Sequence, residues 1–207
     1  MKNDVQLIMH IVTRELSRLE RPKLAAHFLA LDAEDRRLRF GLPLSDASIA
    51  DYVERIDFGR DALFGVFDDE LSVAGAAHLA RAEDHAELGV SVLPAHRGRG
   101  IGGALLERAH MHARNWGIGM LFMHCLSENA AMMHLARKQG MRIAAASGEA
   151  DAHLALPPAS PSSIAGALIA ERAGLFDYAL KSQLVTARRL LASALAAPKA
   201  PGSGRGS

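Results

Sequence analysis

The sequence predicts a mixed α/β (α+β) fold: a mostly antiparallel sheet flanked by helices, followed by a C-terminal helical extension. Three observations support this prediction. Near residue 60 the spacing of apolar residues changes from helical periodicity to alternation. A glycine-rich loop, "AHRGRGIGG" at residues 95–103, then joins a strand to an amphipathic helix. Finally, the composition shifts at Pro157 towards proline, serine and alanine.

Composition and charge exclude several classes of protein. The chain has 207 residues, of which 49% are hydrophobic and 23% charged, as in a globular protein. Its formal net charge of +1 supplies no overall field for nucleic acid or an anionic membrane, so neither is expected as a partner. A single cysteine, Cys125, cannot form an internal disulfide. Because charged residues interrupt the N-terminal segment before a signal-peptide core can form, we expect a cytoplasmic location.

The first 60 residues predict one strand and three helices. Residues 9–16 are rich in β-branched residues and favour a strand. Residues 17–31 show helical spacing, and the apolar face comprises Leu19, Leu24, His27, Phe28 and Leu31. Two shorter helices follow, the first with Asp32 as its N-cap and the second with Ser45 or Asp46.

From residue 61 onwards, strands dominate the pattern. The predicted elements are a hairpin at 61–81, a strand at 85–94, a helix at 101–117, a strand at 118–127, a helix at 128–140 and a closing hairpin at 141–156. The strand at 118–127 is almost uniformly apolar, which is typical of burial on both faces.

The C-terminal part of the chain predicts helices outside the main domain. The predicted organisation is a domain at 1–156, a linker at 157–163, a helical extension at 164–197 and a disordered tail at 198–207. The spacing of apolar residues predicts two helices in the extension. The second carries an apolar stripe formed by Phe176, Leu180, Leu184, Ala187, Leu191 and Leu195. Such a stripe must cover either the domain's own sheet or a partner chain, which motivates the hypothesis of a homodimer through these helices.

The glycine-rich loop predicts a phosphate-binding site. A P-loop is excluded because Ala104 follows Gly103, where a lysine and a hydroxyl residue are required. The spacing of Gly98, Gly100 and Gly103 satisfies the dinucleotide fingerprint, but four residues separate the first glycine from the preceding strand. The remaining interpretation is a nest of backbone N–H groups at a helix N-terminus, which binds a pyrophosphate without a metal.

The stretch "VSVLPAHRGRGIGGALL" resembles the acetyl-CoA-binding signature of the GNAT superfamily of N-acyltransferases. The resemblance extends over residues 9–156 and is most specific over residues 87–141, which include "SENAAMMHLARKQGM". Within the superfamily, these segments and "LDAEDRRLRF" are similar to the acetyltransferase domain of bacterial protein lysine acetyltransferases. A GNAT-type sheet is therefore expected, with the strands at 87–93 and 120–126 splayed apart to admit the thioester.

The resemblance implies an acetyl-CoA-dependent N-acetyltransferase, with acetyl-CoA as cosubstrate and no metal. The acetyl group would pass by direct attack in a ternary complex to a primary amine, either a small molecule (an amine, amino acid or polyamine) or a protein lysine. The alternative is a catalytically degenerate module that binds acetyl-CoA as a sensor or scaffold.

The resemblance also implies roles for individual residues. The cofactor contacts would be Val90, Val92, Arg97, Gly98, Arg99, Gly100, Ile101, Gly102, Gly103 and Asn129. A lysine-like amine is mostly protonated at pH 7, so its attack needs a general base, and Glu87 matches the catalytic glutamate of the lysine acetyltransferase group. Ala136 stands where many members have a tyrosine that protonates the departing thiolate. Ser127, His134 or water would take over this role, or the thiolate would leave unassisted.

Overall fold

The computed structural model describes residues 11–196, which form a seven-stranded sheet flanked by helices. The sheet order is β1-β2-β3-β4-β5-β7-β6, and within this range only the β4–β5 pair is parallel. The strands are β1 Arg14–Glu15, β2 Ala62–Phe67, β3 Val73–Arg81, β4 His85–Val92, β5 Met120–Leu126, β6 Arg142–Ala146 and β7 Glu149–Ala155. The helices are α1 Arg21–Leu29, α2 Ala33–Phe40, α3 Asp46–Arg55, α4 Ile101–Asn115, α5 Ala130–Lys138 and α6 Pro161–Ala196.

Side-chain caps fix the starts of the short helices. The Asp32 carboxylate accepts a hydrogen bond from the backbone N–H of Asp35 at 2.7 Å, as expected for the N-cap of α2. At the start of α3, the Ser45 hydroxyl accepts from the N–H of Ser48 at 3.2 Å, so Ser45 rather than Asp46 is the cap. The sequence prediction of both helices is confirmed.

The helices cover the two faces of the sheet unequally. On one face, α4 and α5 bury a continuous core that includes Phe64, Leu88, Leu105 and Leu121. On the other face, α1 and α3 cover β2 and β3 with a separate core around Phe28. The β5–β7 half of this second face remains open, which leaves room for a ligand site beside α2.

The strand at 118–127 was expected to be buried on both faces, and this prediction is wrong. Along β5, Leu121, Met123 and Cys125 are buried, whereas Phe122 and His124 are exposed on the open face of the sheet. The reason is tertiary, because α1 and α3 cover β2 and β3 on this face and do not reach β5.

The parallel strands β4 and β5 diverge after three residue pairs. They pair at His85–Met120, Ala86–Leu121 and Glu87–Phe122, while β4 stays paired with β3 as far as Val92. Beyond Glu87, the β5 side of β4 has no strand partner in the described part of the chain. The splay implied by the resemblance is therefore present.

The C-terminal extension is one continuous helix, α6, instead of the two helices expected from the sequence. Helix α6 begins at Pro161, inside the expected linker. Its first half packs on α4 and β1: Arg108 is buried, donates to the Ala167 carbonyl at 3.0 Å and pairs with Glu171 at 2.7 Å. Gly174 sits directly against the backbone of β1, so close that a methyl group there would overlap a main-chain oxygen.

Three other expectations are modified. The predicted first strand is only Arg14–Glu15, and residues 9 and 10 lie outside the described residues, as does the predicted disordered tail. The helix predicted from residue 17 begins as a 3₁₀ turn at Arg18–Glu20, and Leu19 is 89% exposed because it precedes the buried face of α1. None of the helices between residues 11 and 196 is both long and apolar enough to cross a membrane.

Candidate functional site

The divergence of β4 and β5 leaves backbone groups of β4 without partners. The N–H of Leu93 donates to the Ala74 carbonyl at 2.9 Å, so odd-numbered residues of β4 direct their backbone groups towards β3. Even-numbered residues therefore face the gap. The N–H and C=O of Val90 are free to pair with an extended ligand, and the C=O of Val92 already accepts from Arg97 Nε at 3.0 Å.

The loop after β4 exposes a set of backbone donors. Gly98 and Gly100 have φ values of 73° and 86°, in the left-handed region that glycine adopts readily. Helix α4 begins after Gly100 without a side-chain cap, and its first intrahelical bond is donated by Ala104. The N–H groups of Ile101, Gly102 and Gly103 therefore have no helical acceptor. At Gly98, no described atom beyond the neighbouring residues lies within 4 Å of the position that a Cβ would occupy. The geometry suits a bound anion.

The two arginines of this loop differ in their environments. Arg97 Nη2 lies 2.6 Å from Oδ1 of Asp35, a buried carboxylate of α2. Arg99 is exposed and has no ion pair among residues 11–196. The positive charge available to a ligand of the loop therefore comes chiefly from Arg99, while Arg97 joins the loop to α2.

Asn129 lies on the opposite side of the gap, at the start of α5. Its Oδ1 accepts from the N–H of Met132 at 3.1 Å, and its Nδ2 donates to the Leu38 carbonyl at 3.4 Å. The adjacent Glu128 pairs with Arg37 at 2.5 Å. Asn129 is thus a buried helix cap, and α2 is bonded to both sides of the gap.

Glu87 lies at the last position where β4 pairs with β5, on the open face of the sheet. It lines an open cavity of about 780 Å³ together with Asp84, His85, Met120, Phe122, His124 and Asp151. His124 Nδ1 lies 2.7 Å from Oδ1 of Asp151, and this hydrogen bond raises the pKa of His124 above its usual value. The cavity therefore holds acidic groups suited to a cationic amine and one histidine that favours its protonated form.

The structure does not bring Ser127 to Glu87. Ser127 follows β5 and is exposed, and its backbone N–H donates to the Gly148 carbonyl at 2.9 Å. It lies five residues beyond Phe122, the partner of Glu87, a distance of about 16 Å along an extended strand. Ala136 is fully buried in α5 and offers no proton donor.

Sequence reasoning missed a polar network behind Gly89 on β4. Arg39 Nη2 donates to the Tyr52 hydroxyl at 3.3 Å, and this hydroxyl lies 2.6 Å from His78 Nδ1. His78 Nε2 in turn lies 3.1 Å from Asp61 Oδ2. Since a carboxylate only accepts, we assign the His78 proton to Nε2, and Tyr52 then donates to Nδ1. Burial lowers the pKa of His78, so its ring is neutral at pH 7.

One signal in the sequence could have revealed this network. Gly89 stands inside an otherwise regular strand, a position that often marks the close approach of another group. The structure shows that the Arg39 guanidinium occupies the space where a side chain at position 89 would lie.

Residues 28–141 match the family model described as the Acetyltransferase (GNAT) family. No match is found among curated proteins. Among solved structures, the GNAT domain of S. lividans PAT is similar with a TM-score of 0.60 and 21% identity, covering 70% of this chain and 89% of that domain.

Two further structures share the fold. The phosphinothricin acetyltransferase of Sinorhizobium meliloti, in complex with AcCoA, has a TM-score of 0.60 and 17% identity, covering 74% of this chain and 95% of that one. The spermidine N-acetyltransferase of Vibrio cholerae, in complex with CoA and spermine, has a TM-score of 0.57 and 18% identity, covering 70% and 95% respectively. At these identities the similarity is one of fold.

Proposed function

Because the chain belongs to the acetyltransferase (GNAT) family, we propose that it transfers an acetyl group from acetyl-CoA to a primary amine by direct attack in a ternary complex. The observation that carries this proposal is the gap between β4 and β5, which opens beside the uncapped N-terminus of α4. An extended thioester whose pyrophosphate lies at the helix N-terminus would reach the open face of the sheet through this gap.

The residues around the gap fit acetyl-CoA. The N–H groups at the start of α4, the glycines at 98 and 100 and the free cation of Arg99 would hold the pyrophosphate. The unpaired backbone groups of Val90 would bond the pantetheine arm as an additional strand would. Acetyl-CoA supplies the activated acetyl group, and the chain orients its thioester towards the cavity that contains Glu87.

Glu87 would act as the general base that removes the proton of the acceptor amine. Its side chain is exposed to the cavity, and no ion pair within residues 11–196 neutralises its carboxylate. The exposed carboxylate of Asp84 nearby would attract the amine in its cationic form, whereas Asp151 is already bonded to His124. The deprotonated amine would then attack the thioester carbonyl, forming the amide bond as the carbon–sulfur bond breaks.

For the proton that the departing thiolate takes up, the geometry favours His124 over Ser127. His124 lies two residues beyond Phe122 on the open face, opposite Gly89 across the gap, and it faces the same cavity as Glu87. Its hydrogen bond with Asp151 favours the protonated ring. We therefore propose His124 as the general acid and Asp151 as the residue that positions it.

The acceptor is proposed to be a primary amine, in a small molecule or in a protein lysine. The acidic cavity supports either class, and the similar Vibrio cholerae enzyme was solved in complex with spermine. We also propose a cytoplasmic location, because a chain with a single cysteine has no internal disulfide and suits a reducing compartment.

The first experiment measures the thermal shift with acetyl-CoA, CoA, NAD and ATP in parallel. At 100 times its Kd, a bound ligand raises the Tm of a chain of this size by roughly 5–11 °C. We expect shifts with acetyl-CoA and CoA only, followed by thiol release when amines are added. A shift with NAD, or none with either CoA species, would contradict the proposal.

A matched variant tests the role of Glu87. We expect Glu87→Gln to lower kcat by about 10²- to 10⁴-fold, because the general base is lost, and to keep the thermal shift with CoA. Glu83→Gln, at a polar position near the same end of β4, is the control and should retain full activity. If Glu87→Gln left the rate unchanged, the assignment of the base would be wrong.

A further inference from the structure

The guanidinium of Arg39 lies over Gly89 on β4, two residues along the strand from Glu87, which lines the open cavity. An ideal Cβ at Gly89 would lie 2.2 Å from its Cζ and Nη2 atoms, so the group rests directly on the backbone of β4. Its Cζ lies 4.8 Å from the centroid of the Phe40 ring and 5.8 Å from that of Phe28. Aromatic rings and strand backbone therefore fix this cation in place, unlike a surface arginine.

Among residues 11–196, the charge of Arg39 has no counterion. No carboxylate among residues 11–196 lies within 4.0 Å of it, and its Nε is buried without a hydrogen-bond partner. Its neighbours on α2 differ, since Arg36 pairs with Asp46 and Arg37 pairs with Glu128. A partly buried guanidinium without an anion is costly, and this arrangement points to an anionic group supplied by a ligand.

The surrounding network does not supply this anion. Tyr52 donates its proton to His78, and the carboxylate beyond His78, Asp61, pairs with Arg60 at 2.9 Å. His27, buried beneath the same region, is neutral because burial lowers its pKa to about 4, and the Arg39 charge adds to this effect. The described residues around Arg39 are thus neutral or already paired.

The Arg39 guanidinium and the Glu87 side chain lie on the same face of β4. The guanidinium lies over Gly89, which is about 7 Å from Glu87 along the strand. A planar guanidinium with a free Nη1 beside Nη2 matches a carboxylate in geometry and charge. The site therefore places an anion receptor next to the group that would take a proton from an amine.

We infer that the acceptor is a small zwitterionic amine, an α-amino acid, whose carboxylate is bound by Arg39 beside Gly89 while its amino group is directed towards Glu87. This inference rests on the proposed acetyl transfer and names its substrate class. A polyamine would bring a second cation towards Arg39, and a lysine within a protein chain has no carboxylate near its amine, so both are disfavoured.

The test compares each of the twenty α-amino acids with its α-carboxamide, which replaces the negative carboxylate by a neutral group of nearly the same size. Binding to CoA-saturated protein is measured by titration calorimetry, and acetyl transfer by thiol release, with spermidine and a lysine peptide as additional probes. For at least one amino acid we expect the acid to bind and react at least about tenfold better than its amide, as for the loss of one charged hydrogen bond.

Three variants separate a direct contact from a structural role. Arg39→Gln should raise the KM for the acid at least about tenfold and leave the KM for the amide unchanged. Arg39→Lys should keep part of the preference for the acid over the amide. Gly89→Ala keeps the charge but displaces the guanidinium, so it should reduce the same preference. Arg55→Gln, at an exposed position of α3, is the matched control and should change neither value. A retained thermal shift with CoA confirms folding in each case.

The outcomes distinguish the inference from the proposed function. If amides react as well as acids, if Arg39→Gln weakens both equally, or if only spermidine or the peptide is acetylated, the inference is overturned while acetyl transfer stands. If no amino acid in the set binds better than its amide, the inference is also overturned. If acids bind in an Arg39-dependent manner without acetyl transfer, the subsite stands and the proposed function fails.

Discussion

His124 and Asp151 lie on neighbouring strands with their side chains on the open face of the sheet. Their contact matters because a general acid must hold its proton at the pH of the reaction. The hydrogen bond that His124 donates to Asp151 is the largest cause of the raised pKa of His124. Strand pairing thus brings together two side chains that are far apart in the sequence and that we propose act as one unit.

We expect this contact to determine the alkaline limb of the pH–rate profile. In the native protein kcat should fall as pH rises through the raised pKa of His124, because the deprotonated ring cannot donate to the thiolate. Asp151→Asn should move this limb to lower pH, and His124→Gln should remove it and lower kcat by at least about tenfold. The measurement is kcat at saturating substrates from pH 5.5 to 9.5. An unchanged limb in His124→Gln would exclude this acid.

His27 illustrates how a buried neutral histidine affects stability. Its Nδ1 lies 2.8 Å from the Val73 carbonyl and its Nε2 lies 2.8 Å from the Ser91 hydroxyl, so the ring joins α1 to β3 and β4. Burial lowers its pKa to about 4, compared with about 6.5 for an exposed histidine. Between these values the unfolded chain binds a proton at His27 and the folded protein does not.

Acidification should therefore destabilise the fold through His27. The neutral His27 ring contributes its full stability above the unfolded pKa of about 6.5. This stability is lost as pH falls, and the loss amounts to about 3 kcal/mol near pH 4. We expect the stability difference between the native protein and His27→Gln to narrow as pH falls from 7 to 4.5, and to stay constant between pH 7 and 8. Urea unfolding at each pH measures this. Parallel curves over the whole range would contradict the prediction.

Among the elements, α2 has the largest influence on the site. Asp35 bonds it to the glycine-rich loop, Leu38 and Arg37 bond it to the start of α5, and Arg39 projects over β4. A helix of eight residues thus spans the gap in which the thioester is proposed to lie. One element therefore contacts both the proposed cofactor subsite and the proposed acceptor subsite.

The close approach of α6 to β1 requires the glycine at position 174. A Cβ at Gly174 would lie 2.6 Å from the Thr13 carbonyl oxygen and 3.1 Å from Arg14 Cα, both backbone atoms that cannot move aside without shifting β1. A Cβ at Gly166, in the same helix, would meet only the sulfur of Met111 at 3.3 Å, the flexible end of a side chain.

These two glycines should respond oppositely to replacement by alanine. Gly174→Ala should destabilise the protein by about 1–3 kcal/mol, because overlap with β1 outweighs the better helix propensity of alanine. Gly166→Ala, the matched control, should leave stability unchanged or raise it by up to about 1 kcal/mol. Urea unfolding of both variants provides the comparison. Stabilisation by Gly174→Ala would show that α6 does not pack tightly on β1.

At the scale of the whole molecule, the apolar stripe of α6 is left uncovered. Phe176 is 73% exposed, and Leu180, Leu184, Leu191 and Leu195 are also exposed on the same helix. From residue 186 to residue 195 every side chain is exposed, so the C-terminal end of α6 extends beyond the sheet. Since the domain's own sheet does not cover the stripe, we propose that a second copy of the chain does.

Light scattering of the full chain tests this dimer. We expect twice the mass of 22.1 kDa for one chain, and a return to a single chain when Leu184→Glu and Leu191→Glu are combined, since both side chains are exposed in the monomer. Gln183→Glu, an exposed polar neighbour, adds charge outside the stripe and should leave the dimer intact. If the native protein has a mass of 22.1 kDa at all concentrations, the dimer is excluded.

Local features were determined by the sequence alone. The caps at Asp32 and Ser45, the hairpins and the glycine-rich loop before α4 depend on neighbouring residues and their backbone preferences, so periodicity and turn chemistry predicted them. The resemblance carried by the loop and its flanking strand also led to the family.

Only the tertiary structure decided how these elements combine. Apolar periodicity shows that a side chain is buried but does not show against what, so the open face of β5 and the continuous helix α6 were missed. The contacts of Arg97 with Asp35 and of Arg39 with Gly89 join segments more than 45 residues apart. Such contacts form when the sheet brings these segments together, which is why the proposed acceptor side of the site could be inferred only from the tertiary structure.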